Sequence, residues 1–390
     1  METSKVYIKN GHEKRLFFGH HWIFSNELTH IPQLEAGTIV EVFNDQSKSF
    51  GYGFFNPSSL ISVRLLFTSE PPDKSLFVTR IQSALNYREK LFLGSKVYRL
   101  VFGESDFLPG LIIDRYGDYL ALQSLSAGVE KNLTIIVEAL LEVMPEIKGI
   151  YAKNLSYLRQ MEGLEQNEYL LFGTIPEENI VDKDGIKLSI SLVGGQKTGY
   201  YLDQRINRKF IRGLSDGLRV LDCYTNQGGF ALNASLGGAE EVTAIDTSQS
   251  ALDKAALNAE INSFKNITLF NADVATFLEQ SIVDNKEWDL IILDPPAFAK
   301  NRKKVPVAKA GYAKINRLAM RLIPSGGFLA SSSCSQQIDE NEFLEIIHVE
   351  ASKLGKQLRL VFRGLQSPCH PILTAMPETK YLKFFVHQII

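Results

Sequence analysis

The sequence predicts an α/β protein in which a parallel sheet forms most of the carboxyl-terminal half and smaller β and mixed units precede it. From about residue 186 onward, short apolar runs alternate strictly with segments of helical periodicity, which is the pattern of βαβ units. An aspartate also stands at or just after the end of four of these runs. At 390 residues, with 45% hydrophobic and 22% charged residues, the chain is long enough for two or three globular domains.

The amino-terminal segment, residues 1–72, is typical of a small β unit. Strands are predicted over residues 38–43, 50–55 and 61–66. The polar residues 44–48 are a hairpin signal between the first two strands. Residues 70–73 include two consecutive prolines and predict a linker, so we place the first domain boundary there.

The middle segment, residues 73–184, predicts a mixed α/β domain. Helices are expected over residues 76–93 and 133–143, and a β pair over residues 111–114 and 119–122. Periodicity alone assigns no function to this segment.

The third segment, residues 185–390, contains the alternating pattern. Its predicted strands span residues 218–222, 241–246, 267–273, 290–293 and 328–332. Helices are expected over residues 228–237, from a Ser248 cap to Asn262, and around Tyr312, Ile315, Leu318 and Leu322. The aspartates at the strand ends are Asp222, Asp246, Asp273 and Asp294. One such aspartate could be a helix cap, but four in succession indicate a ligand site, because ligands of open α/β sheets bind at the carboxyl ends of strands.

Asp294 and Cys334 are the candidate reactive groups. They follow the runs 290–293 and 328–332, which are separated by one helix. If those strands are parallel neighbours, their carboxyl ends lie about 5 Å apart and both side chains face one crevice. A carboxylate and a thiol in that position favour chemistry over packing. The alternative is that Cys334 is an inert buried thiol, as a cysteine after a strand commonly is.

The first βα turn, residues 222–230, argues against a dinucleotide cofactor because it lacks the Gly-x-Gly-x-x-Gly pattern. S-adenosylmethionine carries no phosphate and needs no such loop. In this interpretation Gly228 and Gly229 let the backbone approach the cofactor, Asp246 accepts hydrogen bonds from the ribose hydroxyls, and Asp273 reaches the adenine amino group. The full set of candidate cofactor-binding residues is Asp222, Gly228, Gly229, Phe230, Asp246, Asp273 and Asp294.

Positive charge is concentrated beside Asp294, although the formal net charge of the chain is only −2. No Asp or Glu occurs between Pro295 and Ile338. This acid-free segment contains Lys300, Arg302, Lys303, Lys304, Lys309, Lys314, Arg317 and Arg321, and a second basic cluster contains Arg205, Arg208, Lys209 and Arg212. Such clusters are commonly solvated faces, but their place near a candidate site favours phosphate contacts.

The three cysteines, at positions 223, 334 and 369, have no metal-ligand spacing, and an odd number argues against a disulfide framework. We therefore expect a reducing, cytoplasmic environment and no metal. The start of the chain lacks the apolar core of a signal peptide, and no apolar run approaches the length of a membrane span.

Several long motifs resemble the family of ribosomal RNA large-subunit cytosine-C5 methyltransferases. They are residues 19–27, 104–118, 195–205, 294–298, 333–335 and 377–383, the last of which resembles the closing strand of the family. The resemblance covers nearly the whole chain and implies an N-terminal PUA-like β-barrel, a central α/β domain and a class I methyltransferase (Rossmann-like) domain. It also implies S-adenosylmethionine as cofactor and large-subunit ribosomal RNA as partner. The sequence allows a homodimer.

The chemistry that the resemblance implies fits the residues present. Cytosine C5 is a weak nucleophile, so a Cys334 thiolate adds to C6 and makes C5 electron-rich. Asp294 would hold the N3 and N4 edge of the base. Phe298 could stack on a base taken out of its helix, beside the rigid Pro295. The candidate substrate-binding residues are Pro295, Phe298, Lys300, Arg302, Lys303, Lys304 and Arg205.

Two departures from the family pattern and two rival functions stay open. Asn226 and Gln227 replace a Tyr-Thr pair, and Cys369 stands where the family has Asp. Ala297 occupies the position of a second cysteine that some related enzymes use for product release, so the release base is unassigned. The rival functions are a methyltransferase acting on a purine nitrogen, which needs no thiol, and a catalytically inactive RNA-binding or ribosome-assembly protein.

Overall fold

The computed structural model describes residues 4–194, 198–299 and 302–390, and of Arg302 only the backbone. These residues form two compact units. The first comprises the described residues within Met1–Lys183, Ile190–Tyr200 and Pro368–Thr379, and the second comprises those within Asp184–Ser189, Tyr201–Ser367 and Lys380–Ile390. The limits of the three domains given above stay a prediction.

The first unit begins with a small closed β structure. Its strands are β1 (Ser4–Tyr7), β2 (Trp22–Phe24), β3 (Thr38–Phe43), β4 (Ser49–Phe55) and β5 (Ile61–Leu65), with a short helix α1 (Lys14–Phe17) between β1 and β2. The strand order is β1-β3-β4-β5-β2. An isolated antiparallel bridge between Ile8 and Leu28 links the segments beyond the two edge strands, as closure into a small barrel requires.

The remainder of the first unit is a second five-stranded sheet covered by helices. Its strands are β6 (Val97–Phe102), β7 (Leu111–Tyr116), β8 (Tyr119–Ser124), β9 (Gly149–Asn154) and β10 (Asn167–Gly173), in the order β10-β9-β8-β7-β6. The helices are α2 (Lys74–Leu91), α3 (Ala127–Lys131), α4 (Leu133–Val143) and α5 (Tyr157–Met161), and β11 (Asn179–Lys183) follows. Asp73 caps α2 by accepting from the Leu76 N–H at 3.2 Å. Phe77 and Ile136 pack with Ile113 in one buried core.

The second unit is built on a seven-stranded sheet. Its strands are β13 (Arg219–Cys223), β14 (Glu241–Asp246), β15 (Ile267–Asn271), β16 (Leu290–Leu293), β17 (Phe328–Ser333), β18 (Leu358–Gly364) and β19 (Lys383–Ile389); β12 (Ile186–Ile190) precedes them. The order is β15-β14-β13-β16-β17-β19-β18. The first five strands are parallel, and β19 runs antiparallel to both of its neighbours.

Helices cover both faces of this sheet. They are α6 (Arg205–Leu214), α7 (Gly229–Leu236), α8 (Gln249–Ile261), α9 (Val274–Val283), α10 (Val305–Arg321) and α11 (Glu340–Lys353). One buried core, on the α9–α11 side, contains Leu293 and Tyr312, and the other, on the α6–α7 side, contains Ile292 and Phe230. Strand β16 contributes to both cores, because its side chains alternate between two covered faces.

The predicted α/β fold class is confirmed, and most element limits agree within three residues. One position was wrong: residues 377–383 were expected to be the closing strand, but a 3-10 turn occupies Pro377–Thr379 and β19 starts only at Lys383. The strand predicted over residues 267–273 ends at Asn271, because Asp273 caps α9 instead. Across the described ranges, no helix is both long and apolar enough to cross a membrane.

Candidate active site

The carboxyl ends of β16 and β17 are adjacent, as the sequence predicted. The two strands pair in parallel with Leu293 opposite Ser331. Asp294 follows β16 directly, and Cys334 follows β17 directly. The structure therefore brings the carboxylate and the thiol to the same edge of the sheet.

The Asp294 carboxylate is held by a buried glutamine. Gln204 donates from Nε2 to Asp294 Oδ1 at 2.8 Å and to Ser332 Oγ at 3.1 Å. The Gln204 Oε1 accepts from Asn207 Nδ2 at 2.6 Å, which fixes the orientation of the amide. Burial raises the pKa of Asp294 to about 6, while the Ser332 hydroxyl and the positive charge of Arg208 oppose that rise. A fraction of this carboxyl group is therefore protonated near neutral pH.

The segment that carries Cys334 is fixed by the hydroxyl groups on either side of it. Ser333 Oγ donates to the Tyr312 hydroxyl at 3.1 Å, and that hydroxyl lies 3.1 Å from Ser335 Oγ. Ser335 Oγ also accepts the Ala299 N–H at 3.4 Å, which ties this segment to the one that follows Asp294. Cys334 itself is partly accessible. The thiol thus stands on a rigid support with one side open.

Asp222 lies at the end of β13 and is fully buried. Its Oδ2 accepts from the Thr225 hydroxyl at 2.6 Å and from the Ala231 N–H at 2.9 Å. No hydrogen-bond partner for its Oδ1 is present in the described part of the chain. Burial raises the pKa of Asp222 to about 7, and the nearby Asp294 carboxylate adds to that rise. A buried acceptor without a partner fits the positively charged amino group of a bound S-adenosylmethionine.

The turn after β13 adopts a strained conformation and reaches Asp246. Tyr224, Asn226 and Gly228 have φ values of 64°, 50° and 83°, in the left-handed region. The Asn226 N–H donates to Asp246 Oδ2 at 2.9 Å, and the Ser248 N–H donates to Oδ1 at 2.9 Å. Each oxygen retains a second lone pair that can accept a ribose hydroxyl. Non-glycine residues held at positive φ are typical of ligand-binding turns.

The side-chain positions of Gly229 and Phe230 face the interior of the protein. A Cβ on Gly229 would lie only 2.6 Å from the Arg208 guanidinium, so the missing side chain makes room for this arginine rather than for the cofactor. The Phe230 ring is 3% exposed and stacks on Phe384 at 5.6 Å between ring centroids. Only the backbone of these two residues could approach a cofactor.

Asp273 caps helix α9. A helix cap was the alternative to a ligand-binding role that the sequence left open for such an aspartate. Its Oδ1 accepts from the Thr276 N–H at 2.9 Å and from the Thr276 hydroxyl at 3.0 Å. The same backbone hydrogen bond lowers its pKa. The residue is exposed, and its second oxygen can still bind a ligand while the first caps α9.

Phe298 and Pro295 follow Asp294 and close the site on one side. The Phe298 ring is half-buried and packs against Tyr312, with 4.7 Å between ring centroids. Pro295 is buried. Phe298 therefore packs against the core and keeps a half-buried ring, which is compatible with the predicted base stacking.

Three basic residues of the acid-free segment form ion pairs with neighbouring helices. Lys309, Lys314 and Arg317 pair with Glu342, Glu279 and Glu350 at 2.7, 2.9 and 3.0 Å. Lys303 and Lys304, by contrast, are exposed, and no ion pair joins them to a described acidic side chain. Lys300 and the side chain of Arg302 lie outside the described residues. Lys303 and Lys304 are thus the described residues of this segment best placed to meet a phosphate.

The second basic cluster does not support the phosphate contacts that we predicted for Arg205. Arg205 is 3% exposed and donates to Asp184 Oδ1 at 2.6 Å, and Lys209 pairs with the same oxygen at 3.0 Å. Arg208 is also buried, and its guanidinium donates to the Tyr201 carbonyl. This placement corrects the prediction: the guanidinium of Arg205 is used inside the protein.

Sequence reasoning missed Gln204 and Lys383. Lys383 is 5% exposed and lies in β19, directly opposite Ser333 in β17. A single lysine within the apolar run 382–386 was the available signal for it. Gln204 lies in the motif 195–205, but its partners are 90 and 128 residues away, so the sequence did not show that it holds Asp294. The other two cysteines are inert by position: Cys223 and Cys369 are both fully buried.

Comparisons with known proteins agree with this geometry. Residues 6–68 match the family model of a PUA-like domain, and residues 159–380 match that of an S-adenosylmethionine-dependent methyltransferase. Proteins named ribosomal RNA large subunit methyltransferase I from Vibrio cholerae and Aliivibrio fischeri are each 38% identical, over the full length of both chains.

Solved structures show the same fold. A methyltransferase crystallised with SAH has a TM-score of 0.87, and an S-adenosylmethionine-dependent methyltransferase from Streptococcus mutans has a TM-score of 0.85. Each is 22% identical and covers 99% of this chain and 100% of its own. The predicted cofactor and the PUA-like domain are thereby confirmed. The chain belongs to the S-adenosylmethionine-dependent methyltransferases, in the family of ribosomal RNA large subunit methyltransferase I.

Proposed function

We propose that this protein methylates C5 of a cytosine in large-subunit ribosomal RNA through a covalent adduct between Cys334 and C6. The observation that carries the proposal is the partly accessible thiol of Cys334 on a strand end adjacent to that of Asp294. Methylation of a purine nitrogen needs a carboxylate but gives a thiol no role. The names of the full-length relatives support large-subunit ribosomal RNA as substrate. A cytoplasmic location and a homodimer stay predictions.

The bound cofactor supplies the methyl group as an electrophile, and the side chains prepare the base to accept it. The Cys334 thiolate forms a bond to C6, and the electron pair of the C5–C6 double bond becomes available at C5. When C5 bonds to the methyl carbon, the bond from that carbon to the cofactor sulfur would break and its electron pair would stay on sulfur. A base then removes the C5 proton. The electrons of that C–H bond re-form the double bond, and the Cys334 sulfur leaves as thiolate.

Asp294 assists the first step through its protonation state. Addition at C6 places negative charge on the ring, which a proton donor at N3 stabilises. With a pKa raised to about 6 by burial, the Asp294 carboxyl can supply that hydrogen bond. When ionised, it can instead accept from the N4 amino group. Gln204 holds Oδ1, so it leaves Oδ2 as the oxygen directed to the base.

A substitution of the thiol tests the proposal. Cys334→Ala should abolish methylation but keep binding of S-adenosylmethionine and RNA, because it removes a single partly accessible atom. RNA with 5-fluorocytosine at the target should form a denaturant-stable adduct with the parent protein, since fluorine cannot leave as a proton does. Cys369→Ala, which removes a buried thiol in the other compact unit, is the matched control and should form the adduct normally.

Two other outcomes would separate the rival functions. Substantial methylation by Cys334→Ala, with mass spectrometry placing the methyl group on a purine, would favour direct attack by a ring or amino nitrogen. RNA binding with no methylation of any base by the parent protein would favour an inactive assembly factor.

A further inference from the structure

A buried lysine that carries no carboxylate partner in the described ranges supports the segment after β17. Lys383 Nζ donates to the Ser335 carbonyl at 2.6 Å and to the Ile338 carbonyl at 2.8 Å. Both carbonyls are neutral, and the two residues stand just after Cys334. Because β17 and β19 are antiparallel with Ser333 opposite Lys383, the register of the sheet places this lysine beside the end of β17, and its ammonium binds the segment that begins one residue after Cys334.

A buried ammonium without a counter-ion is costly, and structures keep such groups mainly where their charge is used. Lys383 is 5% exposed, and the residues on either side of it in the sequence, Leu382 and Phe384, are also buried. A purely structural link between β19 and the Cys334 segment would not require a charge. The position therefore implies a partner whose negative charge depends on its protonation state.

The Cys334 thiolate is that partner. Burial lowers the pKa of Lys383 to about 8, and the largest opposing effect is the attraction of the Cys334 thiolate. The carboxylates of Asp339 and Glu340, at the start of α11, also attract the ammonium, and Lys380 repels it. Glu340, however, pairs with Arg363 and with Lys380, so its charge is largely neutralised.

Tyr312 is a second titratable group near the thiol, and it brings no charge. Tyr312, on α10, has a pKa raised mainly by burial, and the Cys334 thiolate raises it further. The phenol is therefore neutral and brings no positive charge. Lys383 is a buried side chain with a positive charge that interacts electrostatically with Cys334.

We propose that Lys383 is a positioning residue for the nucleophile: it holds the segment from Ser335 to Ile338 in place and supplies the positive charge that favours the Cys334 thiolate. This inference deepens the proposed function and rests on Cys334 being the nucleophile. Lys383 acts through Cys334 and contacts neither the base nor the cofactor in this assignment.

The pH dependence of thiol alkylation tests the assignment on the full-length protein without RNA or cofactor. Iodoacetamide reacts with thiolates, and the two other cysteines are buried, so the reaction rate reports the thiolate fraction of Cys334. Lys383→Gln keeps one donor for the carbonyls but removes the charge. We expect the midpoint of its alkylation profile to rise by about one pH unit or more, which is roughly a tenfold loss of thiolate at fixed pH below the midpoint. Lys383→Arg should keep the midpoint near that of the parent.

Controls separate charge from folding. Cys334→Ser identifies any background labelling, and the affinity for S-adenosylmethionine confirms an intact unit in each variant. Lys383→Met serves as a second neutral variant if Lys383→Gln is unstable. An unchanged midpoint in either folded neutral variant, or an equal rise in Lys383→Arg, would overturn the proposal. Methylation by Cys334→Ala would refute the proposed function separately, because the alkylation profile does not depend on methyl transfer.

Discussion

Asp222 should make the second compact unit less stable as the pH rises. Its carboxyl is fully buried, with a pKa raised by burial from 3.8 to about 7. Between those two values the folded protein holds a proton that the unfolded chain has lost. Its contribution to the free energy of unfolding therefore falls as the pH rises through this window. Asp222→Asn keeps the shape of the side chain but cannot titrate, so this fall should disappear.

The expected size follows from the shift. A difference of about three pKa units corresponds to about 4 kcal/mol over the whole window. Measured at about pH 5 and about pH 8, which include two of those three units, the advantage of Asp222→Asn over the parent should grow by about 3 kcal/mol. S-adenosylmethionine must be absent, because a bound amino group would stabilise the ionised carboxylate.

Urea unfolding followed by tryptophan fluorescence measures this difference. The chain has two tryptophans, and Trp288 is the one in the second unit, so a Trp22→Phe background isolates its signal. Asp289→Asn is the control of opposite sign: although burial alone would raise the pKa of Asp289, its bonds with Arg219 lower it. That variant should lose more stability at high pH than at low pH. Parallel stability profiles for Asp222→Asn and the parent would refute the reasoning.

Two further predictions concern the cofactor and the RNA. Asp246→Ala should weaken S-adenosylmethionine binding by roughly 1 to 3 kcal/mol in calorimetry, the scale of hydrogen bonds to a charged group, and unchanged binding would remove Asp246 from the site. Changing both Lys303 and Lys304 to Ala should flatten the salt dependence of RNA binding by roughly 0.7 to 0.9 for each phosphate that the variant no longer neutralises, and it should leave cofactor affinity alone. As a control, changing Lys309 and Lys314 to Ala removes the same charge from ion-paired positions and should reduce the salt dependence of RNA binding less. Equal salt dependence in the two double variants would mean that Lys303 and Lys304 are solvated and do not contact phosphates.

The parallel part of the fold was predictable because each strand is apolar on both faces and is separated from the next by a periodic helix. Strand β16, for example, reads Leu-Ile-Ile-Leu and was placed with its observed limits. The strands β10 and β18 were not predicted. Both are edge strands, and their apolar runs, residues 169–172 and 360–362, are short and only exposed or half-buried. Nor does local sequence reveal that β19 runs antiparallel, because direction is set by where the chain crosses the sheet.

The candidate site was predictable only where a residue's neighbourhood follows from strand order. Asp294 and Cys334 stand at the ends of strands, so the topology alone brings them together. Arg205 was misassigned because charge density along the sequence does not reveal a partner such as Asp184, which is 21 residues away. The approach of the Gly229 backbone to the cofactor stays a prediction, and the sequence does not reveal that the Arg208 guanidinium lies 2.6 Å from where a Cβ of this residue would be.

The position of β19 imposes an order on folding during synthesis. The strand lies between β17 and β18, yet it follows both of them along the chain. When the residues up to β18 have left the ribosome, the strands that carry or directly precede Asp222, Asp246 and Asp294 are available for folding. Lys383 is not yet available. Domains tend to form as their segments emerge, so the cofactor half of the sheet can assemble first. The support beneath Cys334 can be completed only afterwards, and until then the edge of β17 is open to pairing with other chains.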